Sequence, residues 1–227
     1  MPAGAAILAA ETPADSQGFA AAWANIAGRP VLAWAVEAFV RAPEVAAVAL
    51  VVRPDQLDAA IELIARSGWD GVHAVAATSP QRRAAVRAGL AALPADLEWV
   101  IVHDGTRPLV TPELIAAGLA AAARTGAAAA WTPVKETLKR VEGETVTATL
   151  PRDELALVQT PQVFRRALLV AAHTASADLD PPDDATLAQR AGIPVALYPA
   201  GPNNLKVSDA RDLAIASALL AARIPPA

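Results

Sequence analysis

The sequence contains no cysteine, so disulfides, thiolate metal sites and cysteine nucleophiles are excluded from the outset. Aromatic residues make up only 4%, which leaves alanine, valine and leucine to fill whatever core forms. Lysine occurs just three times, at 135, 139 and 206. Lysine and arginine together number 19 against 23 acids, a net charge of −4, and that balance offers no basic groove for a nucleic acid. A phosphate must therefore be met by a few individually placed cations. The three histidines, His73, His103 and His173, form no closely spaced ligand motif. No basic residue precedes Arg29, so the opening apolar run Ala5 to Ala10 has no signal-peptide n-region, and it is too short to cross a bilayer. The chain reads as cytoplasmic, with no membrane and no nucleic-acid partner.

What is present is core material: 54% hydrophobic residues over 227 positions, enough for one full-sized domain. Apolar runs of strand length alternate with longer stretches of helical period, the pattern of an α/β fold whose mostly parallel twisted sheet is covered on both faces. Strands are expected at Ala5 to Ala10, Val45 to Val52, Val72 to Ala76, Trp99 to Val102, Ala127 to Thr132 and Val195 to Tyr198. Helices are expected over Val31 to Phe39, after Pro54, over Pro80 to Leu93, after Thr111-Pro112-Glu113, near Arg165 to His173, and from Asp183 and Asp209. Residues 134–152 break this rhythm. Lys135, Thr137, Lys139 and Val141 alternate with other types, Glu142-Gly143-Glu144 supplies a turn, and Thr145 to Leu150 alternates again, which predicts a β-hairpin. Its low apolar content predicts an arm projecting from a single domain over 1–227, and such an arm usually finds a partner, often the symmetry mate in a dimer.

In open α/β sheets, ligands bind beyond the carboxyl ends of the strands. Three segments compete for that place: the turn after Ala9-Ala10, the segment His103-Asp104-Gly105-Thr106-Arg107, and Asn203-Asn204-Leu205-Lys206. After a buried strand, Asp104 can hold a divalent metal or a ribose hydroxyl, and Arg107 can fork onto a phosphate. The competing interpretation is a turn in which Asp104 caps backbone and Arg107 is a solvated ion pair. Lys206 stands out because lysine is so scarce, although a solvated lysine at a loop end would look the same. Arg152 alone reads as a surface charge beside Asp153 or Glu154. Trp23, Trp34 and Trp69 read as packing residues rather than base-stacking platforms.

Five segments together carry more. Val102-His103-Asp104-Gly105-Thr106-Arg107-Pro108-Leu109, Pro133-Val134-Lys135-Glu136-Thr137-Leu138-Lys139, Gln159-Thr160-Pro161-Gln162-Val163-Phe164, Asp183-Asp184-Ala185 and Asn204-Leu205-Lys206-Val207 occur in one order over nearly the whole chain. In that order and spacing the sequence resembles the 2-C-methyl-D-erythritol 4-phosphate cytidylyltransferases of the non-mevalonate isoprenoid pathway. The resemblance implies a Rossmann-like nucleotidyltransferase domain that transfers CMP from CTP to methylerythritol phosphate and releases pyrophosphate with Mg2+. It also implies a homodimer interlocked through the hairpin arm. Residue by residue, it implies catalytic roles for Arg152 and Lys206, substrate contacts from Asp104, Arg107 and Thr137, and a nucleotide side formed by Ala9, Ala10, Arg82 and Gly105. Asp104 is also its candidate magnesium ligand.

The first loop departs from that family. The family pattern is glycine-rich, then supplies an arginine and a Pro-Lys pair, whose amides and charges close on the triphosphate. Here the loop runs Glu11-Thr12-Pro13-Ala14-Asp15-Ser16-Gln17-Gly18-Phe19-Ala20-Ala21-Ala22-Trp23, with no lysine or arginine between Glu11 and Gly28. The lysine position falls on Ala21 or Ala22, the family's Gly-Gly is Thr78-Ser79, and a serine contact is Ala85. Losing one preorganised donor costs on the order of 3–4 kcal/mol, roughly 10²–10³ in rate. Three readings stand at this point: a cytidylyltransferase with weak or altered nucleotide use, a non-catalytic paralogue that binds a phosphorylated ligand or a partner such as an active homologue, or a nucleotidyltransferase with another acceptor. In the first, Arg29, Arg82 or Arg83 is the candidate substitute cation.

Overall fold

Val45–Val52 contains no polar side chain, and a strand so composed must be covered on both faces. The computed structural model describes residues 4–9, 20–77, 79, 81–175 and 181–223 and places this run inside a seven-stranded sheet. In chain order the elements are β1 (Gly4–Ala9), β2 (Asn25–Ile26), β3 (Arg29–Pro30), α1 (Val31–Arg41), β4 (Val45–Val52), α2 (Leu57–Ser67), β5 (Val72–Ala76), α3 (Arg82–Ala92), β6 (Trp99–Asp104), α4 (Pro112–Thr125), β7 (Ala127–Pro133), β8 (Leu138–Glu142), β9 (Thr145–Leu150), β10 (Ala156–Arg165), α5 (Arg166–Ala175), α6 (Asp184–Arg190), β11 (Ala196–Pro199) and α7 (Ala210–Ala221).

The sheet order is β11-β7-β10-β6-β1-β4-β5. Alternation along β1 divides its side chains between two cores. Ala6 and Leu8 join α1, α2 and α4 on one face, while Ala5 and Ile7 join α3, α5 and α6 on the other. Helix α3 lies close because it presents Gly89 to Ile7: a Cβ there would stand 2.6 Å from the isoleucine Cγ2. A third cluster, with Ile26, Val31, Leu109 and Val207, seats α7.

Strand β10 is the element the sequence pattern does not anticipate. It runs antiparallel to both β6 and β7, so those two run parallel to each other and end at the same edge of the sheet. Its Gln-Thr-Pro-Gln centre lacks an apolar run, and its register with β7 breaks between Gln159 and Gln162, where Pro161 has no N–H to give a ladder. The small ribbon β2–β3 is likewise unanticipated. Its turn carries positive φ at both Ala27 (50°) and Gly28 (81°), the conformation of a tight two-residue hairpin.

Strands β8 and β9 form the expected hairpin over a separate two-stranded sheet. Val141 and Val146 on it are 58% and 56% exposed. Among the described residues no helix is long and apolar enough to cross a membrane.

Candidate active site

The carboxyl ends of β1 and β6 lie side by side, with Ala9 opposite Asp104. The Gly105 N–H donates to the Ala9 carbonyl at 2.8 Å, so the chain turns sharply off β6 at that point. Four residues, Asp104 to Arg107, then close on themselves through the Arg107 N–H, which donates to the Asp104 carbonyl at 3.0 Å.

What holds this turn is a buried relay. Thr160 Oγ1 accepts the Asp104 N–H at 3.0 Å and lies 3.1 Å from His103 Nδ1, while His103 Nε2 lies 3.2 Å from the Arg107 carbonyl. A carbonyl only accepts, so Nε2 carries the ring proton, Nδ1 is bare, and the threonine hydroxyl donates to it. Burial drives the His103 imidazole down to about 4, against the upward pull of Asp104, so the ring is neutral at physiological pH. The unfolded chain would protonate this histidine near its ordinary 6.5. Its contribution to stability is therefore fully present above that value and is lost as pH falls toward about 4, at roughly 1.4 kcal/mol per unit. Urea midpoints should drop over this window in the wild type and stay flatter in His103→Gln; parallel profiles would contradict the assignment.

The second loop clamps onto the first. Asn204, 3% exposed, donates its amide to Gln159 Oε1 at 2.9 Å and to the Thr160 carbonyl at 2.7 Å. Arg107 donates Nη1 to the Asn204 carbonyl at 2.9 Å and Nε to Asp104 Oδ2 at 3.1 Å. The Val207 N–H donates to the Thr106 carbonyl at 2.8 Å. Lys206 is thereby brought within 3.6 Å of Asp104 Oδ2. From α3, Arg82 reaches Asp104 Oδ1 at 3.4 Å and Asp184 Oδ2 at 3.2 Å. Burial alone would raise the Asp104 carboxyl, but Arg82, Lys206 and Arg107 outweigh it and hold the group well below the usual carboxylate range.

A cleft of about 720 Å³ opens beyond the ends of β7 and β11. Arg107, Lys206 and Asn204 line one side, Trp131 and Thr132 the strand side, and Lys135 and Glu136 the foot of the arm. It is the position at which an open α/β sheet accepts a ligand.

A family model for 2-C-methyl-D-erythritol 4-phosphate cytidylyltransferase matches residues 8–222. A protein of that name from Dehalococcoides mccartyi (strain CBDB1) is 37% identical over 218 residues, covering 96% of this chain and 95% of its own. The chain belongs to the 2-C-methyl-D-erythritol 4-phosphate cytidylyltransferase family. The solved cytidylyltransferase of that name from Thermus thermophilus is 33% identical, with a TM-score of 0.76 over 99% of this chain and 100% of that one. The 4-diphosphocytidyl-2C-methyl-D-erythritol synthase from Anaerococcus prevotii superposes with a TM-score of 0.86 at 26% identity, covering 97% and 96%. A bifunctional enzyme IspD/IspF from Desulforudis audaxviator is 44% identical over 200 residues, 86% of this chain, which spans half of that longer protein.

Against this family's pattern, the structure brings Asp104, Gly105, Arg107, Arg82, Ala9 and Lys206 together. It does not bring Thr137 and Arg152 to them. Both are exposed at the arm, neither lines the cleft, and Arg152 Nη1 donates to the Lys135 carbonyl at 2.8 Å. Ala10, the loop 11–19 and Thr78 lie outside the described residues. Ala21 and Ala22, at the family's lysine position, are buried in a 3-10 turn, and Ala85 is fully buried in α3, so neither place offers a polar side chain. Arg29 is held by Glu37 at 3.2 Å and lies over the Trp34 ring at 5.0 Å, while Trp69 Nε1 donates to the same Glu37 at 3.0 Å. That cluster confirms Trp34 and Trp69 as packing residues.

Both oxygens of Asp104 face cations: Oδ1 meets Arg82, and Oδ2 meets Arg107 and Lys206. Among the described residues no three acidic or imidazole side chains form a metal cage, and magnesium is ordinarily held by one or two carboxylates together with substrate phosphates. Sequence reasoning also missed Thr160, His103 and Asn204 as the scaffold of the site, although the Gln-Thr-Pro-Gln and Asn-Leu-Lys motifs contained two of them.

Proposed function

We propose that this chain transfers CMP from CTP to 2-C-methyl-D-erythritol 4-phosphate and releases pyrophosphate. The observation that carries this reading is the meeting of Lys206, Arg107 and Arg82 around Asp104 at the sheet's carboxyl edge, in a chain that matches the family over nearly its whole length. The acceptor's phosphate oxygen forms a bond to the α-phosphorus, and the bond from that phosphorus to the α,β-bridging oxygen breaks. Nucleophile and leaving group are both anionic, so catalysis is chiefly positioning and charge neutralisation. Lys206, 44% exposed on its side chain at the mouth of the cleft, is placed to draw the acceptor phosphate in. Of the three candidate substitute cations, Arg82 is the one beside Asp104, where it can take up charge developing on the triphosphate. Magnesium enters as part of the nucleotide substrate. Lack of a transmembrane-length helix among the described residues is compatible with action in the cytoplasm.

Thr137 and Arg152 complete the site only from a second copy. The exposed valines of the arm favour a homodimer in which each arm reaches the partner's cleft. Complementation tests this. Arg152→Ala and Lys206→Ala homodimers should each be nearly inactive, and unfolding and refolding them together should restore about a quarter of wild-type turnover, since about half the dimers are mixed and carry one intact site of two. No recovery in verified mixed dimers would overturn the shared site.

A second reading, a ligand-binding paralogue without turnover, is favoured by one observation: no lysine or arginine lies between Glu11 and Gly28.

A further inference from the structure

On the face of the sheet opposite α1, α2 and α4, helices α3 and α5 enclose a second cleft of about 430 Å³. Arg83, Arg87, Arg166 and His173 line it, with Leu90 and Val170 as its apolar part, and among the described residues none that lines it is acidic. Three of the chain's 19 lysines and arginines thus face one groove in a protein of net charge −4. Arg83 Nη2 donates to His173 O at 2.6 Å, and Arg166 Nη2 donates to Leu90 O at 2.7 Å. Among the described residues, neither Arg87 nor Arg166 is paired with a carboxylate, and Arg166 Nη1 and His173 Nδ1 are buried without a hydrogen-bond partner.

Like charges gathered in one concavity repel unless an anion is shared between them, and planar guanidinium forks match phosphate oxygens. We infer that the α3–α5 groove is a binding site for a phosphate-type dianion, separate from the cleft that holds Lys206. Its ligand is either the free inorganic anion or a phosphomonoester whose organic part lies along Leu90 and Val170. The groove is joined to the active site by polar contacts: His173 Nε2 donates to Asp184 at 2.8 Å, Asp184 accepts from Arg82 at 3.2 Å, and Arg82 meets Asp104 at 3.4 Å.

Calorimetric titration of the whole protein with pyrophosphate, inorganic phosphate and n-butyl phosphate tests this. Arg87 is exposed and bonded to nothing among the described residues, so Arg87→Glu and Arg87→Gln should fold normally. The expected result is a class of pyrophosphate sites that Arg87→Glu weakens by about tenfold or more and Lys206→Ala leaves intact. Arg124→Glu, the same charge change on the exposed end of α4, should leave it intact as well. Tighter binding of n-butyl phosphate than of phosphate assigns an organic phosphomonoester; equal or weaker binding assigns the free anion. Unchanged binding in Arg87→Glu, equal weakening in Arg124→Glu, or a single class abolished by Lys206→Ala would each overturn the proposal.

Discussion

Lys206→Ala should lower kcat/KM by roughly 10²–10³ while leaving the fold intact, because it removes one preplaced cation from a reaction that depends on charge neutralisation. Its ammonium lies 3.6 Å from Asp104, and 44% of its side chain is open to solvent, so its ion pair contributes little to stability. The unfolding free energy should therefore change by less than about 1 kcal/mol. Lys206→Arg should recover part of the loss, since charge is kept while reach and shape change. Steady-state pyrophosphate release and urea denaturation of the same preparations separate the two effects. A variant that unfolded readily, or one that turned over like wild type, would remove Lys206 from the chemistry.

Asp104→Ala should behave in the opposite way, as a structural lesion first. The carboxylate is the common counterion of Arg82, Arg107 and Lys206, and Arg107 is only 9% exposed. Removing one partner of a buried ion pair leaves uncompensated charge and typically costs about 3–5 kcal/mol. Asp184 still pairs with Arg82, which places the expected loss at the lower end, about 3 kcal/mol. Double-mutant analysis with Lys206→Ala should show coupling, because the second substitution relieves part of the repulsion left by the first. A loss below about 1 kcal/mol by urea denaturation would mean that Asp104 is not the charge centre of the site.

The contrast between these two residues shows where sequence stops being informative. Both stand out in the sequence, Asp104 by position after an apolar strand and Lys206 by the scarcity of lysine. Their relationship is not visible there, because it is made by segments far apart in the chain and brought together only when Asn204 hydrogen-bonds to Gln159 and Thr160. A carboxylate after a strand looks the same in sequence whether its neighbours are acids or, as here, Arg82, Arg107 and Lys206. Strand β4 is readable to the residue because an unbroken apolar run has one stable environment, and helix starts at Thr111, Asp183 and Asp209 are readable because capping is local chemistry. In the structure these three side chains accept from Leu114, Thr186 and Asp212 N–H groups. Strand β10 is hidden because its centre is polar and its pairing is purely tertiary. His103 and Thr160 lie inside recognisable motifs, but their scaffold role has no local signature, since it depends on a hydrogen-bond geometry between two strands.

The most direct test of the central claim is single-enzyme pyrophosphate release from CTP and magnesium, with and without 2-C-methyl-D-erythritol 4-phosphate. Acceptor-dependent turnover is expected, and Arg82→Ala and Lys206→Ala should each reduce it strongly. No acceptor-dependent release from folded protein, with methylerythritol phosphate still raising the melting temperature, would contradict that claim and establish a chain that keeps the pocket without the chemistry.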